Sequence, residues 1–216
     1  MTPAAYVLDV ETVPEGLEFG APIELPECYR LTAESREEGL DHYLRRALHP
    51  RRCQVVAAAV APLPGGTVEF KTGPEVEILE WLETIVAPGR GAPTLLAWNG
   101  PGFDFPVLRA RALVHGLHRL APVFAPQVWG GHGIRYPERL LDLMRFAPEC
   151  LPGRRVSKAA ACDAWRIDLE TPPGSTVPAL WSRGDLDTIE AHVVEDVVVE
   201  RQLARLWRVA QILGVS

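Results

Sequence analysis

The chain has 216 residues, 47% of them hydrophobic and 23% charged, which is ample for one well-buried α/β domain and too balanced for low complexity or disorder. No run approaches the roughly 18 apolar residues that cross a bilayer, and the N-terminus lacks the basic-then-apolar order of an export signal, so a cytoplasmic protein without membrane partners is expected. A formal net charge of −6 argues against a broadly basic surface that coats nucleic acid, while leaving room for a local groove whose charge is completed by bound metal.

Cys28, Cys53, Cys150 and Cys162 are widely spaced with no Cys-x-x-Cys, which indicates neither a zinc clip nor a disulfide framework. Of the 22 basic residues only Lys71 and Lys158 are lysines. Arginine is the better fork for phosphate oxygens, but genomic base composition explains the same ratio.

In chain order, Ala5-Tyr6-Val7-Leu8-Asp9-Val10-Glu11-Thr12 predicts a strand near the core. Residues 14–52 read as an irregular insertion with one amphipathic helix, Ala33 to Leu48, before Gln54 to Val60 resumes as a buried strand. Thr67 to Lys71 alternates as an edge-side strand should, so the first three strands form an antiparallel meander. A helix over Glu75 to Val86 stops at Pro88-Gly89, and Thr94 to Trp98 is a short apolar strand reached by crossover, hence parallel.

The turn Asn99-Gly100-Pro101-Gly102 leads into a helix from Phe103 to Gly116, with Pro106 tolerated in its first turn. Prolines and glycines from Leu117 to Arg139 predict a loop, and Leu140 to Met144 a short apolar element. Ser157 caps a helix through Trp165, Thr171 to Gly174 is a break, and the last and longest helix runs from Leu186 to Leu213, with Asp187 and Glu190 at capping-box spacing. No linker divides residues 1–216, so a single domain with an insertion at about 14–52 is expected.

Asp9 and Glu11 lie two residues apart and share one face of their strand. Like charges side by side on an apolar strand repel and resist desolvation, an arrangement that makes sense when a divalent cation sits between them. Asp104 stands where a strand ends and a helix begins, the usual site of function in an open α/β sheet, though a helix N-terminus stabilises a carboxylate by itself. His192 and Asp196 are four residues apart, on one face of the terminal helix.

Asp-x-Glu on the first strand, Asn99-x-x-x-Phe103-Asp104 after the fourth, and His192-x-x-x-Asp196 in a late helix together resemble the DEDD superfamily of 3′-5′ exonucleases, in the branch similar to the exonuclease domain of family B DNA polymerases. Leu48-His49-Pro50, Leu141-Asp142-Leu143-Met144 and Gly184-Asp185 are further matches. The resemblance spans nearly the whole chain and implies an α/β, ribonuclease H-like fold: a mixed five-stranded sheet, three antiparallel strands and then parallel ones, flanked by helices.

It also implies two divalent cations, Mg²⁺ or Mn²⁺, held by Asp9, Glu11, Asp104 and Asp196, a choice that hard oxygen donors without thiolates favour independently. The implied activity is two-metal hydrolysis of single-stranded DNA or RNA from the 3′ end, releasing nucleoside 5′-monophosphates, with His192 removing the proton of the attacking water. Superfamily members carry a tyrosine four residues before the final Asp or a histidine five before it, and His192 occupies the tyrosine spacing. One residue of shift turns a helical side chain by about 100° and moves it about 1.5 Å.

As substrate-binding residues the reading offers Asn99, Phe103 and Phe105, each with a packing or turn-holding alternative, and the arginines around the Pro/Gly-rich loop, Arg135 and Arg139 foremost, with Arg145, Arg154 and Arg155. Asp142 reads as structural. Single-stranded 3′ ends are the expected partner, and any polymerase or repair partner leaves no trace in the sequence. The competing expectation is a nucleic-acid-binding or scaffold module with the same fold and impaired catalysis, motivated by the off-register His192 and the acidic net charge.

Overall fold

A computed structural model describes residues 5–32, 34–86, 93–129, 133–148 and 155–214. In chain order the elements are β1 (Ala5–Pro14), α1 (Glu27–Thr32), α2 (Arg36–Leu44), β2 (Cys53–Leu63), β3 (Glu69–Thr72), α3 (Glu75–Val86), β4 (Thr94–Ala97), α4 (Asp104–Val114), β5 (Gln127–Trp129), β6 (Gly133–Arg135), β7 (Leu140–Asp142), α5 (Lys158–Trp165), α6 (Val177–Ser182), α7 (Leu186–Leu206) and α8 (Val209–Leu213). Five strands form one sheet in the order β3-β2-β1-β4-β7. β1, β2 and β3 pair antiparallel, whereas β4 runs parallel to β1 and β7 parallel to β4. This is the mixed, ribonuclease H-like sheet expected from the sequence.

Because β1 is central it is buried on both faces, and its alternation divides two cores. Leu8 and Val10 join Val55 and Val60 of β2 against α3 and α4, through Ile78, Leu82 and Leu108. Val7 and Val13 join Ala57 and Ala59 against α6 and α7, through Trp181, Val193 and Val197. Asp9 and Glu11, at odd positions between Val7 and Val13, therefore face α7. At Glu11/Thr12 the register with β2 shifts, Glu11 opposing Ala57 and Thr12 opposing Val55. Such a bulge bends a strand and re-aims its side chains. Just past it, Thr12 Oγ1 donates to the Ala47 carbonyl at 2.6 Å and ties residues 45–48 to the acid-bearing strand.

Four local expectations change. The single helix of Ala33 to Leu48 is instead α2, capped by Ser35, followed by a 3-10 turn over Arg45–Leu48, with the additional helix α1 before it. The Leu117 to Arg139 loop contains a 3-10 turn and the two-stranded β5-β6 sheet, because hairpin pairing tolerates glycine at the strand ends. α7 is capped by Asp185, whose Oδ1 accepts from Thr188 N at 3.2 Å, so the Asp187/Glu190 box is not used. The last helix breaks at Arg208, φ 55°, which separates α7 from α8.

Candidate active site

Along α7, His192, Asp196 and Glu200 recur every four residues, so their side chains form a stripe on the face turned to β1. His192 Nε2 lies 3.0 Å from Glu11 Oε1 and 3.9 Å from Asp196 Oδ2. One ligand atom each from Glu11, His192 and Asp196 falls within 4.8 Å of the others. Two separate elements thus bring these three predicted residues together, and the off-register spacing does not carry His192 away from the acids. Asp9, 9% exposed, is joined to them through Lys158, whose Nζ lies 3.7 Å from Asp9 Oδ1 and 2.7 Å from Asp196 Oδ2.

Lys158 and Glu200 were missed by sequence reasoning. Lys158 is the first residue of α5, presented by the Ser157 cap, and its Nζ also lies 2.7 Å from Glu200 Oε1. Glu200 is fully buried and its Oε2 accepts from Trp98 N at 3.2 Å, at the end of β4. A signal was present for Glu200: one carboxylate closing the valine run Val197-Val198-Val199, a single turn after Asp196. For Lys158 the only signal was rarity.

His192 is oriented from behind. Its Nδ1 lies 2.9 Å from Thr171 Oγ1, and that hydroxyl donates its proton to Glu195 Oε2. Glu195 also accepts from Glu170 N and Thr171 N, at 2.7 and 2.9 Å, fastening the loop to α7. With the hydroxyl proton committed to Glu195, the Thr171 oxygen accepts from Nδ1–H. Gly174 closes the space over the imidazole: a β-carbon there would stand 3.3 Å from His192 Nε2.

The charges are unbalanced. Burial, followed by repulsion from Asp196, Glu11 and Glu200, pushes the Asp9 carboxyl well above the usual range despite Lys158. Burial and Glu200 do the same to Asp104. Burial raises Glu200 to about 7. Burial works to lower the His192 imidazole, but the neighbouring Glu11 carboxyl 3.0 Å from Nε2, then Asp196, outweigh it and raise it above its ordinary value. Burial also opposes the Lys158 ammonium, which Glu200, Asp9 and Asp196 keep charged well above its ordinary value. Five carboxylates thus meet one ammonium and one imidazole, and the buried Asp9 Oδ2 has no hydrogen-bond partner. That donor set, all oxygen and one imidazole nitrogen, fits divalent cations.

The remaining predicted residues fall into three groups. Asp104 is 3% exposed at the start of α4; it feels Glu200, Lys158 and Glu11 electrostatically but stands outside the cluster of Glu11, His192 and Asp196. Phe103 lines the same cavity of about 420 Å³ as Asp9, Glu11, His192 and Asp196. Phe105 corrects the substrate-contact expectation: it is fully buried, stacked on Phe124 at 6.0 Å and beside Tyr136, in the α3/α4 core.

Asn99 holds the turn. Its φ is 58°, its N donates to Asp142 Oδ1 at 2.9 Å, and its amide lies over Gly102, where a β-carbon would meet Oδ1 at 2.5 Å. Asp142 Oδ1 also accepts from Met144 N at 3.1 Å, the structural part expected of it. The Arg139 guanidinium donates from NH2 to the Val123 carbonyl at 2.8 Å and braces the 3-10 turn. Arg145 is exposed, 3.9 Å from Asp142, and Arg155 is exposed too. The side chain of Arg135, and Arg154 and Cys150 altogether, lie outside the described residues.

A family model for predicted 3′-5′ exonucleases related to the exonuclease domain of PolB matches residues 67–201, a span that holds Asp104, Lys158, His192, Asp196 and Glu200. Among solved structures, the family B DNA polymerase from the hyperthermophilic archaeon Pyrobaculum calidifontis is similar, with a TM-score of 0.62 and 19% identity, over 95% of this chain and 24% of that one. The chain therefore spans about a quarter of that polymerase. No curated protein matches. Since the family match covers more than half of the sequence, the chain belongs to the family of predicted 3′-5′ exonucleases related to the exonuclease domain of PolB.

Proposed function

We propose that the protein is a metal-dependent 3′-5′ exonuclease that hydrolyses single-stranded DNA or RNA ends and releases nucleoside 5′-monophosphates. The observation that carries this reading is the convergence of Asp9, Glu11, His192 and Asp196 on one cavity with more carboxylates than the chain's own cations neutralise. Asp9, Glu11 and Asp196 would hold divalent cations directly, and Asp104 would act from the neighbouring helix start. Bound there, the cations supply activation of water and stabilisation of the leaving 3′ oxygen.

The chain's own groups do the rest. His192 Nε2, 3.0 Å from Glu11 and oriented by Thr171 at Nδ1, is placed to take a proton from water. Lys158, clamped by Glu200, offers a positive charge beside the phosphoryl oxygens as negative charge accumulates. Glycine at 174 leaves His192 Nε2 without the close contact that a β-carbon there would make.

One observation favours the alternative of a binding module without turnover: the Lys158 ammonium already sits between Asp9 and Asp196 and competes for the same oxygens. The test is incubation with 3′- and 5′-labelled single strands of DNA and RNA, with Mg²⁺, Mn²⁺ or chelator. Mononucleotide release from the 3′ end, abolished by chelator and by Asp9→Ala, is expected. Tight strand binding with no release under any of these ions would establish the binding module instead.

A further inference from the structure

The segment between β1 and β2 carries a feature that the acid cluster does not use. Its 3-10 turn, Arg45–Leu48, is fastened to β1 one residue beyond Glu11 by the buried hydrogen bond from Thr12 Oγ1 to Ala47 O. Arg45 and Leu48 consequently line the same cavity as Asp9, Glu11, His192 and Asp196. Leu48 is 66% exposed, an aliphatic side chain standing in water at the rim of the cavity that holds the acids. Phe103 lines the cavity too.

Arg45 is the one arginine among the described residues that line this cavity. It forms an ion pair with Asp41, one helical turn away at 2.7 Å, with side chains 71% and 54% exposed. Exposed pairs of this kind contribute little and exchange readily, so a phosphate oxygen can take the guanidinium from Asp41 in a bidentate contact. A polyanion approaching a wall of carboxylates needs a compensating cation at the entrance, and Arg45 is placed to be it. A cavity of about 420 Å³ keeps that contact close to the acids.

We propose that residues 45–48 form a nucleotide subsite in which Arg45 binds a backbone phosphate and Leu48 covers a base of the single strand whose 3′ end lies at the acids. The proposal rests on the nuclease reading and adds the residues that hold the strand. Arg45 supplies a salt-dependent contact and no base discrimination; Leu48 supplies apolar cover, equally sequence-tolerant.

The test is equilibrium binding of a 5′-fluorescein-labelled deca-thymidylate, by anisotropy in EDTA from low to moderate salt, for the wild type, Arg45→Gln, Leu48→Ala and Asp41→Asn. Arg45→Gln is expected to weaken binding and to flatten the dependence of log K on log salt by about 0.7, the contribution of one phosphate contact on a single strand. Leu48→Ala should weaken binding on the order of fivefold with the salt slope unchanged. Asp41→Asn, which releases Arg45, should bind at least as tightly as the wild type. Circular dichroism melts of the variants establish that each is folded.

Nucleotide release by the wild type in Mn²⁺ is measured in parallel. Release by the wild type with the same salt slope for Arg45→Gln overturns the subsite and leaves the nuclease reading intact. A wild type that releases no nucleotide overturns the nuclease reading, and the subsite with it only where Arg45→Gln also leaves the salt slope unchanged.

Discussion

Glu200 has no access to water and is held by the backbone N–H of Trp98, just past β4, and by the ammonium it clamps. Glu200→Gln preserves the acceptor for Trp98 N and removes the charge that fixes Lys158. The expected result is a fall in kcat of about 10- to 100-fold with KM little changed, the range for groups that orient a catalytic neighbour; equal kcat in the variant would reduce Glu200 to packing. For His192→Ala a loss of about 10²–10⁴-fold in rate is expected from removal of the general base, and an undiminished rate would refute that role. At this scale Asp9, Glu11, His192 and Asp196 were legible because strand and helix periods are written in the spacing itself. Lys158 was not, since its place depends on α5 packing against α7. Phe103 and Phe105 look alike in sequence, and only the direction of the first turn of α4 sends one to the cavity and the other to the core.

Away from the site, a second buried network joins the elements that carry it. Arg111 on α4 donates from Nε and NH2 to the two oxygens of Glu75 on α3 at 2.9 and 2.7 Å, and from NH1 to Glu15 at 3.1 Å. Glu75 Oε1 also accepts from Val55 N of β2 at 2.7 Å, and its Oε2 lies 2.6 Å from His115 Nε2. Glu75→Ala would leave a guanidinium that is 5% exposed without its fork partner, and should cost about 3–5 kcal/mol in urea unfolding. A loss below about 1 kcal/mol would show that Glu15 or water replaces it. The span of α3, Glu75–Val86, was readable from its apolar period and its breakers. The β5-β6 hairpin was not, because its strands are three residues each and set among prolines and glycines. The end of α7 escaped the pattern because Arg208 takes a left-handed conformation that its sequence does not announce.

For the molecule as a whole, the acids make stability depend on pH and on metal. Asp9, Asp104 and Glu200 have carboxyls raised in the folded state, Glu200 to about 7, and His192 is raised as well. A raised group binds its proton more tightly when folded, so its contribution is complete at low pH and is lost as pH climbs through the folded value. In chelator the Tm is therefore expected to fall between pH 6 and pH 8, by about 2–4 °C for each kcal/mol, and Mg²⁺ or Mn²⁺ at pH 8 should recover it. A Tm that rises with pH in chelator over that interval would contradict this assignment. Glu195, lowered by its hydrogen bonds with Thr171 and Glu170 in spite of burial, acts only on the acid side. The order of the sheet was legible because the meander and the crossover follow from connection lengths, whereas the surroundings of the acids are contributed by residues from 9 to 200 and exist only in the folded chain.

The division of β1 between two cores has a last consequence. Leu8 and Val10 anchor the strand from one side and Val7 and Val13 from the other, so Asp9 and Glu11 cannot drift apart to relieve their mutual repulsion. The acid pair is thereby tied to strand backbone buried on both faces, and its spacing should persist until the sheet itself comes apart.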